Sequence, residues 1–453
     1  MFQAEIVVLA AGVAAFVWLI DLARKAGRRD RFRDSLDQAS RELGIRFGPS
    51  GSFSESATGG VDDFTIHVGP GPRATEVEDP ERRRKLLVTA EGPRIPRGVS
   101  FAPETGSGND VLTGDAVFDD LVEAHGEPSV VLSLLQKDIR QKVAVFVQSG
   151  GRLANGTLTL NSLLGSEWGI PAALRMVVAL ARALSSSEGG GICERLAHNA
   201  RHDPHLSVRL WNLQLLQDGF AATPQAKEVS RAALSDVGPW VRLSAARFLV
   251  DEGREALLAL VQEKGVPEQA AAEAVSLLAA RLPIESSGPL LIGVLTSHSG
   301  DARRQAVEEL GRLRHLPALL PLIALLKRSD PGTAAAAATA LGRLGEVKAE
   351  QGLLEALRGE AHELRLAAAR ALGRVGSIRS VEPLSVLLER RLDSTSRRFI
   401  GEAIARIQSR QVGAEAGQLA LATGEAQSGR LSLAAPVSGP GDLSLAPPRS
   451  RQQ

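Results

Sequence analysis

Along residues 200–410 the apolar positions recur about every 31 residues. The motif Leu-Gly-Arg followed by Leu or Val begins at Leu310, Leu341 and Leu372, at spacings of 31 and 31. Stepping back meets Leu278, Leu249 and Leu216; stepping forward meets Ile404. Four residues before these positions stand Ala245, Ala274, Ala306, Ala337 and Ala368. Eight before stand Val208, Val241, Ala270, Ala302, Thr333 and Leu364. Positions i, i+4 and i+8 share one helical face. Each unit therefore predicts a helix with a small-residue column where a neighbouring helix can approach. Asn212 and Ile400 break that column at the two ends, as terminal repeats with a neighbour on one side do. Leucine-rich stretches at 317–327, 349–358 and 381–390 supply a first helix to each unit. Asp301, Asp330 and Asp393 precede the second helices as N-caps, and Gly345 and Gly376 follow them as C-caps. Residues 192–410 thus predict about seven helix pairs.

Upstream the period changes. Residues 48–60 are rich in Gly and Ser and read as a loop; 61–68 alternate as a half-buried strand. Residues 85–91 and 97–102 are further strand candidates, and 128–148 carry Val131, Leu134, Leu135, Ile139 and Val143 at helical spacing. Asn155-Gly156 within 153–160 marks a hairpin, since both residues tolerate positive φ. Pro171 opens an apolar helix to 184. Residues 46–187 predict one small α+β domain, with Ser185 to Gly191 as linker.

The amino terminus differs again. Residues 6–20 are an unbroken apolar run, which as a helix spans roughly 22 Å and reaches a ~30 Å hydrocarbon core if Met1, Phe2 and Ala4 extend it. Arg24, Lys25, Arg28 and Arg29 follow it and no Lys or Arg precedes it. That charge order predicts a transmembrane anchor at 1–23 with the following chain in the cytoplasm, against the rival of a cleaved signal peptide. Residues 24–45 continue as a juxtamembrane helix with Phe32, Leu36, Ala39 and Leu43 on one side. At the other end, 411–453 are rich in Ala, Gly, Ser and Pro and are expected to be disordered. They still repeat every 12 residues, placing Leu419, Leu431 and Leu443 in Leu-x-Leu units that suit β-strand addition to a partner's sheet edge.

The helix-pair array resembles HEAT repeats of the short class found in phycobilin lyases, on VEPLSVLLERR at 381–391 and on Val241-Arg242 or Leu364-Arg365 followed by an Ala-rich helix. The resemblance implies a protein-binding α-solenoid whose concave second-helix face meets the partner. GDAVFDDLVEAHG at 114–126 resembles middle domains of uncharacterised bacterial membrane-anchored HEAT proteins and implies no activity. The fold class expected is mainly α: an α-solenoid preceded by one transmembrane helix and a small α+β domain.

Composition changes little. The net charge is +1, which points to no global polyanion partner, and the single Cys193 excludes an intrachain disulfide. Cys193, His198, His202 and His205 are the only metal-ligand types that cluster. On one helix His198 and His202 share a face, which makes them weak zinc candidates, while Cys193 points away. One His-Glu pair, His362-Glu363, cannot build the di-iron site that resemblance to deoxyhypusine hydroxylases would require. Arginines at 242, 304, 365 and 397 either line a face or pair with acidic neighbours. No phosphate loop, nucleophile elbow or His-Glu-x-x-His occurs. The expectation is a non-catalytic scaffold in the cytoplasmic membrane that binds a protein partner, with no cofactor, no nucleic acid and no small-molecule substrate. The alternatives are an enzyme or cofactor-binding protein with its site in 46–187, or nucleic-acid binding along the solenoid.

Overall fold

The computed structural model describes residues 30–48, 56–70, 86–106, 108–162, 169–186, 190–297, 300–389, 392–410, 419–421 and 431–433. The predicted anchor at 1–23 lies outside them. The chain forms two compact units, residues 1–253 and 254–453.

The first unit opens with a helix over 30–43 (α1); Leu36 and Ala39 lie in the core of the α+β domain, so this helix packs within the domain where a separate juxtamembrane segment was expected. An eight-stranded antiparallel sheet follows: β1 (Arg46–Phe47), β2 (Ala57–Val61), β3 (Phe64–Pro70), β4 (Leu86–Glu91), β5 (Ser100–Pro103), β6 (Val122–His125), β7 (Gly151–Ala154) and β8 (Thr157–Ser162). Their order across the sheet is β1-β2-β3-β4-β8-β7-β5-β6. Helices α2 (Ala116–Asp119), α3 (Pro128–Leu134) and α4 (Lys137–Gln148) interrupt the strands, and α5 (Gly169–Ser186) follows them. The predicted hairpin is present: Ala154 pairs with Thr157, and Asn155 and Gly156 have φ of 52° and 78°.

Two expectations are corrected. Residues 57–60 are strand, not loop. A Cβ on Gly59 would stand 2.6 Å from the Phe47 ring, so the glycine there makes room for β1. The single strand expected over 61–68 is a tight hairpin instead. Val61 pairs with Phe64 across Asp62-Asp63, and Asp62 takes a φ of 51°, a conformation Asp tolerates better than most residues.

Helix α5 fills the sheet's core face with Leu174, Val177, Val178 and Ala181, all buried beside Ile66, Val88, Phe101 and Leu158. It is the one helix among the described residues long and apolar enough to cross a membrane, with a mean hydropathy of 1.3. Its burial against the sheet explains that composition within a folded domain.

Fourteen helices follow among the described residues, seven successive pairs. In the first unit these are α6 (Ile192–His202), α7 (Leu206–Phe220), α8 (Pro224–Ala233) and α9 (Pro239–Leu249). In the second they are α10 (Arg254–Gln262), α11 (Glu268–Arg281), α12 (Ile284–Ser297), α13 (Gly300–Arg312), α14 (Leu319–Arg328), α15 (Pro331–Leu344), α16 (Glu350–Leu357), α17 (His362–Val375), α18 (Val381–Leu388) and α19 (Ser394–Ser409). Short 3-10 turns at Leu316–Ala318, Val347–Ala349 and Ile378–Ser380 lead into α14, α16 and α18.

The periodic core is as the sequence predicts. Ala245, Ala274, Ala306, Ala337 and Ala368 are buried, as are Leu216, Leu278, Leu310, Leu341 and Leu372. Leu249 and Ile404 are only half-buried. Of the tail, six residues are described. Leu419–Leu421 (β9) and Leu431–Leu433 (β10) form an antiparallel pair with Leu419 opposite Leu433, so this part has regular structure where disorder was expected.

Candidate functional site

In the second unit the second helices stack through glycine. A Cβ on Gly311 would stand 2.7 Å from Ala340; on Gly342, 2.9 Å from Ala371; on Gly373, 2.8 Å from the Cα of Ala403. The Leu-Gly-Arg motif thereby acquires a reason. Its leucine fills the core, its glycine lets the next backbone in, and its arginine faces outward, since Arg312, Arg343 and Arg374 are all exposed.

Caps set where these helices begin. Asp330 accepts from the Thr333 amide at 2.9 Å, and Asp393 from the Ser396 amide at 2.8 Å. Asp301 corrects the expectation: it lies within the first turn of α13 and pairs with Arg304, while its own amide donates to Glu268 of α11 at 3.2 Å. Gly345 ends α15 at a φ of 82°, as a C-cap glycine does. Gly376 instead has extended backbone, and a Cβ there would stand 2.6 Å from the Leu372 carbonyl oxygen. Glu350 ties one pair to the next by accepting from the Ser377 amide, the Ser377 hydroxyl and the Ser380 hydroxyl at 2.7–2.8 Å. Burial alone would push its carboxyl up; the serine hydrogen bonds outweigh that and hold it below the ordinary range.

The first unit holds a feature the sequence did not announce. Arg140 of α4, 2% exposed, donates to both carboxylate oxygens of Asp203 at 2.8 and 3.1 Å and to Asp115 at 3.0 Å. Its Nη1 also donates to the Leu135 carbonyl. Asp203 ends α6 and accepts from the His205 amide, so one buried arginine fastens the sheet domain to the turn between α6 and α7. Desolvation disfavours the Arg140 charge, yet the two carboxylates hold it above its ordinary pKa. Burial would raise Asp203, but Arg140 and the His205 amide hold it below the usual carboxylate range.

Around this joint the packing is tight. A Cβ on Gly114, at a φ of 87°, would stand 2.8 Å from Ser207. Asn199 donates to the Leu132 carbonyl at 2.9 Å and to Asn212 at 3.3 Å. Asn212 thus breaks the alanine column because it is a buried hydrogen-bonding partner; the first repeat has a neighbour on that side, the α+β domain. Arg209 continues the pattern, forked onto Asp236 at 2.8 and 2.9 Å.

The other predicted positions lie as follows. His198 and His202 are exposed on one face of α6 with ring centroids 4.9 Å apart. No group of three metal-ligating side chains forms among the described residues. Cys193 is half-buried and near Gln225 and Thr223. His205 is drawn away from the other histidines into the Arg140–Asp203 cluster. Arg304 pairs with an acidic neighbour, whereas Arg365 donates to the carbonyls of Gly359 and Glu360. Leu419 and Leu431 fall on β9 and β10, which pair with each other; Leu443 lies outside the described residues. In the α+β domain an open cleft of about 590 Å³ is lined by Asp63, Glu91, Arg97 and Asn155. Its carboxylates are engaged, Glu91 with Thr157 and Asp63 with Arg94.

The family model described as HEAT repeats matches residues 288–373 and 319–408. The crystal structure of an engineered protein from the Northeast Structural Genomics Consortium shows 21% identity over 48% of this chain and 89% of its own, with a TM-score of 0.26. No curated protein matches the chain.

Proposed function

We propose that the protein, which carries HEAT repeats over residues 288–408, is a non-catalytic scaffold that binds a protein partner through its repeats. The observation that carries this reading is the outward face of the second helices. Arg312, Thr339, Arg343, Arg370 and Arg374 lie exposed on successive helices of a rigid, glycine-stacked array. Arrays of this kind offer an extended surface without needing a pocket. The apolar run at 6–20 and the basic residues after it support an anchor at 1–23 in the cytoplasmic membrane, with the rest of the chain in the cytoplasm.

Two measurements test the proposal. A photoreactive amino acid at Thr339 of the full chain should form adducts with another protein in cells. Their absence, with the chain folded, rejects the scaffold. A reporter after Gln453 should be active only in its cytoplasmic form. Activity of a periplasm-dependent reporter there would reverse the topology.

A further inference from the structure

The last turns of the second helices carry one arginine each at the same repeat position: Arg312 on α13, Arg343 on α15, Arg374 on α17 and Arg406 on α19, at sequence spacings of 31, 31 and 32. All four are exposed. On the same face Arg304, Arg370 and Arg398 add positive charge, against Asp301, Glu308, Glu309, Glu363 and Glu402. Helices packed through Gly and Ala stand about 8–10 Å apart, so successive ladder positions are that far apart along the array.

The ends of the ladder are paired in part, Arg312 with Glu309 at 2.6 Å and Arg406 with Glu402 at 3.6 Å. The centre is not: Arg343 and Arg374 make no side-chain hydrogen bond or ion pair among the described residues. Arg370, next to them, stands over the Phe399 ring, its guanidinium carbon 3.7 Å from the centroid. A cation in the last turn of a helix favours the helix dipole. That role needs neither arginine nor one outward column, and it does not explain like charges stacked within a Debye length of each other. An array of this kind is relieved by an anion with matching spacing.

We propose that this ladder binds an extended, acidic segment of the partner protein, with carboxylates three residues apart seated on successive arginines. The inference rests on the scaffold reading above and names the chemistry of its partner. In the polyproline II form of extended chain three residues make one turn and cover about 9 Å, so side chains three apart share a face at close to one repeat. The guanidinium fork matches a carboxylate in two hydrogen bonds, which a lysine cannot do. Ala335, Thr339 and Leu366 leave the middle of the face uncharged. An aromatic platform for stacking bases is missing from the described part of this face, since Phe399 lies under Arg370.

The test uses the full chain and three fluorescent probes: a 13-residue peptide with Glu at every third position among Ser and Gly, a peptide of the same composition with its Glu clustered at one end, and a 15-nucleotide oligo-dT. The spaced peptide should bind several-fold tighter than the clustered one. Arg343→Gln/Arg374→Gln should weaken it by about tenfold or more, and Arg343→Lys/Arg374→Lys by less. Both side chains are exposed, so an unchanged thermal midpoint confirms that the variants fold. Equal binding by the Gln variant, indifference to Glu spacing, or tighter binding of oligo-dT would each overturn the inference. So would about tenfold tighter peptide binding on removal of 411–453, which would make the chain's own tail the occupant. Protein adducts at Thr339 that persist in the Gln variant would overturn acidic recognition and leave the scaffold standing. Loss of all protein adducts in the unsubstituted chain would remove both.

Discussion

Each of the two units is held together internally by its own kind of contact. In the second unit each contact repeats: a glycine against an alanine one repeat onward, a leucine in the core, a cap at a helix start. The partners lie about one repeat apart in sequence. In the first unit the decisive contacts occur once and reach far, as Arg140 reaches Asp203 across 63 residues and Asp115 across 25. Repeated short-range contacts give stability that adds up pair by pair. Unique buried polar contacts give a joint that forms whole or fails, since an unpaired buried charge is far more costly than a lost surface pair.

The largest effect should follow from breaking that joint. Arg140→Met leaves Asp203 buried without its partner and should cost about 3–5 kcal/mol in chemical denaturation of the full chain. The Asp203 carboxyl is held below its ordinary value in the folded protein. Its contribution is therefore fully present above the unfolded pKa of about 3.9 and is lost as the pH falls through the lower folded value. An acid-induced loss of stability below about pH 4 that is smaller in Arg140→Met than in the parent would support this account; an identical profile would not.

Next in size is the repeat core. Leu341→Ala empties a fully buried site and should cost about 2–5 kcal/mol. Ile404→Ala, at the same repeat position but half-buried, should cost distinctly less. If the two were equal, the register assigned to the last pair would be wrong.

These contrasts also explain what was legible. Leu310, Leu341 and Leu372 announce themselves because a repeat shows each requirement several times over. The α+β hairpin at Asn155-Gly156 was legible because its backbone demands those residues. Arg140 was not. Among the apolar positions of 128–148 it looks like a solvent-facing residue of an amphipathic helix, and nothing in one sequence ties it to an aspartate 63 residues on. Asp62-Asp63 was missed because the residues on both sides alternate as one strand would. The Leu-Gly-Arg glycines were visible as a motif, but their use, the approach of Ala340, Ala371 and Ala403, needed the structure.

Those glycines give a smaller effect of either sign. Gly342→Ala puts a Cβ 2.9 Å from the Ala371 Cα, where backbone must shift, and should destabilise by about 1–3 kcal/mol despite alanine's better helix propensity. Gly401→Ala, with nothing within 4 Å of its Cβ, should stabilise by about 0.5–1 kcal/mol. Thermal midpoints that move in the same direction would show that the stack does not depend on close approach.

The smallest effects separate a cap from a residue that only resembles one. Asp330 and Asp301 both read as caps in sequence, but Asp330 stands eleven residues before Leu341 and Asp301 only nine before Leu310. Asp330 accepts the Thr333 amide, which draws its carboxyl below the ordinary value. Asp330→Ala should cost about 0.5–2 kcal/mol at neutral pH, and the difference should vanish in acid, where the protonated side chain accepts poorly. Asp301 has no such amide. Its side chain pairs with Arg304 in solvent, and the helix start is served from the neighbouring repeat by Glu268, which accepts the Asp301 amide. Asp301→Ala should therefore change stability by no more than about 0.5 kcal/mol, and Glu268→Ala should cost more than Asp301→Ala. The reverse order would mean that α13 is capped locally after all, and that this repeat gains less from its neighbour than the stacked glycines imply.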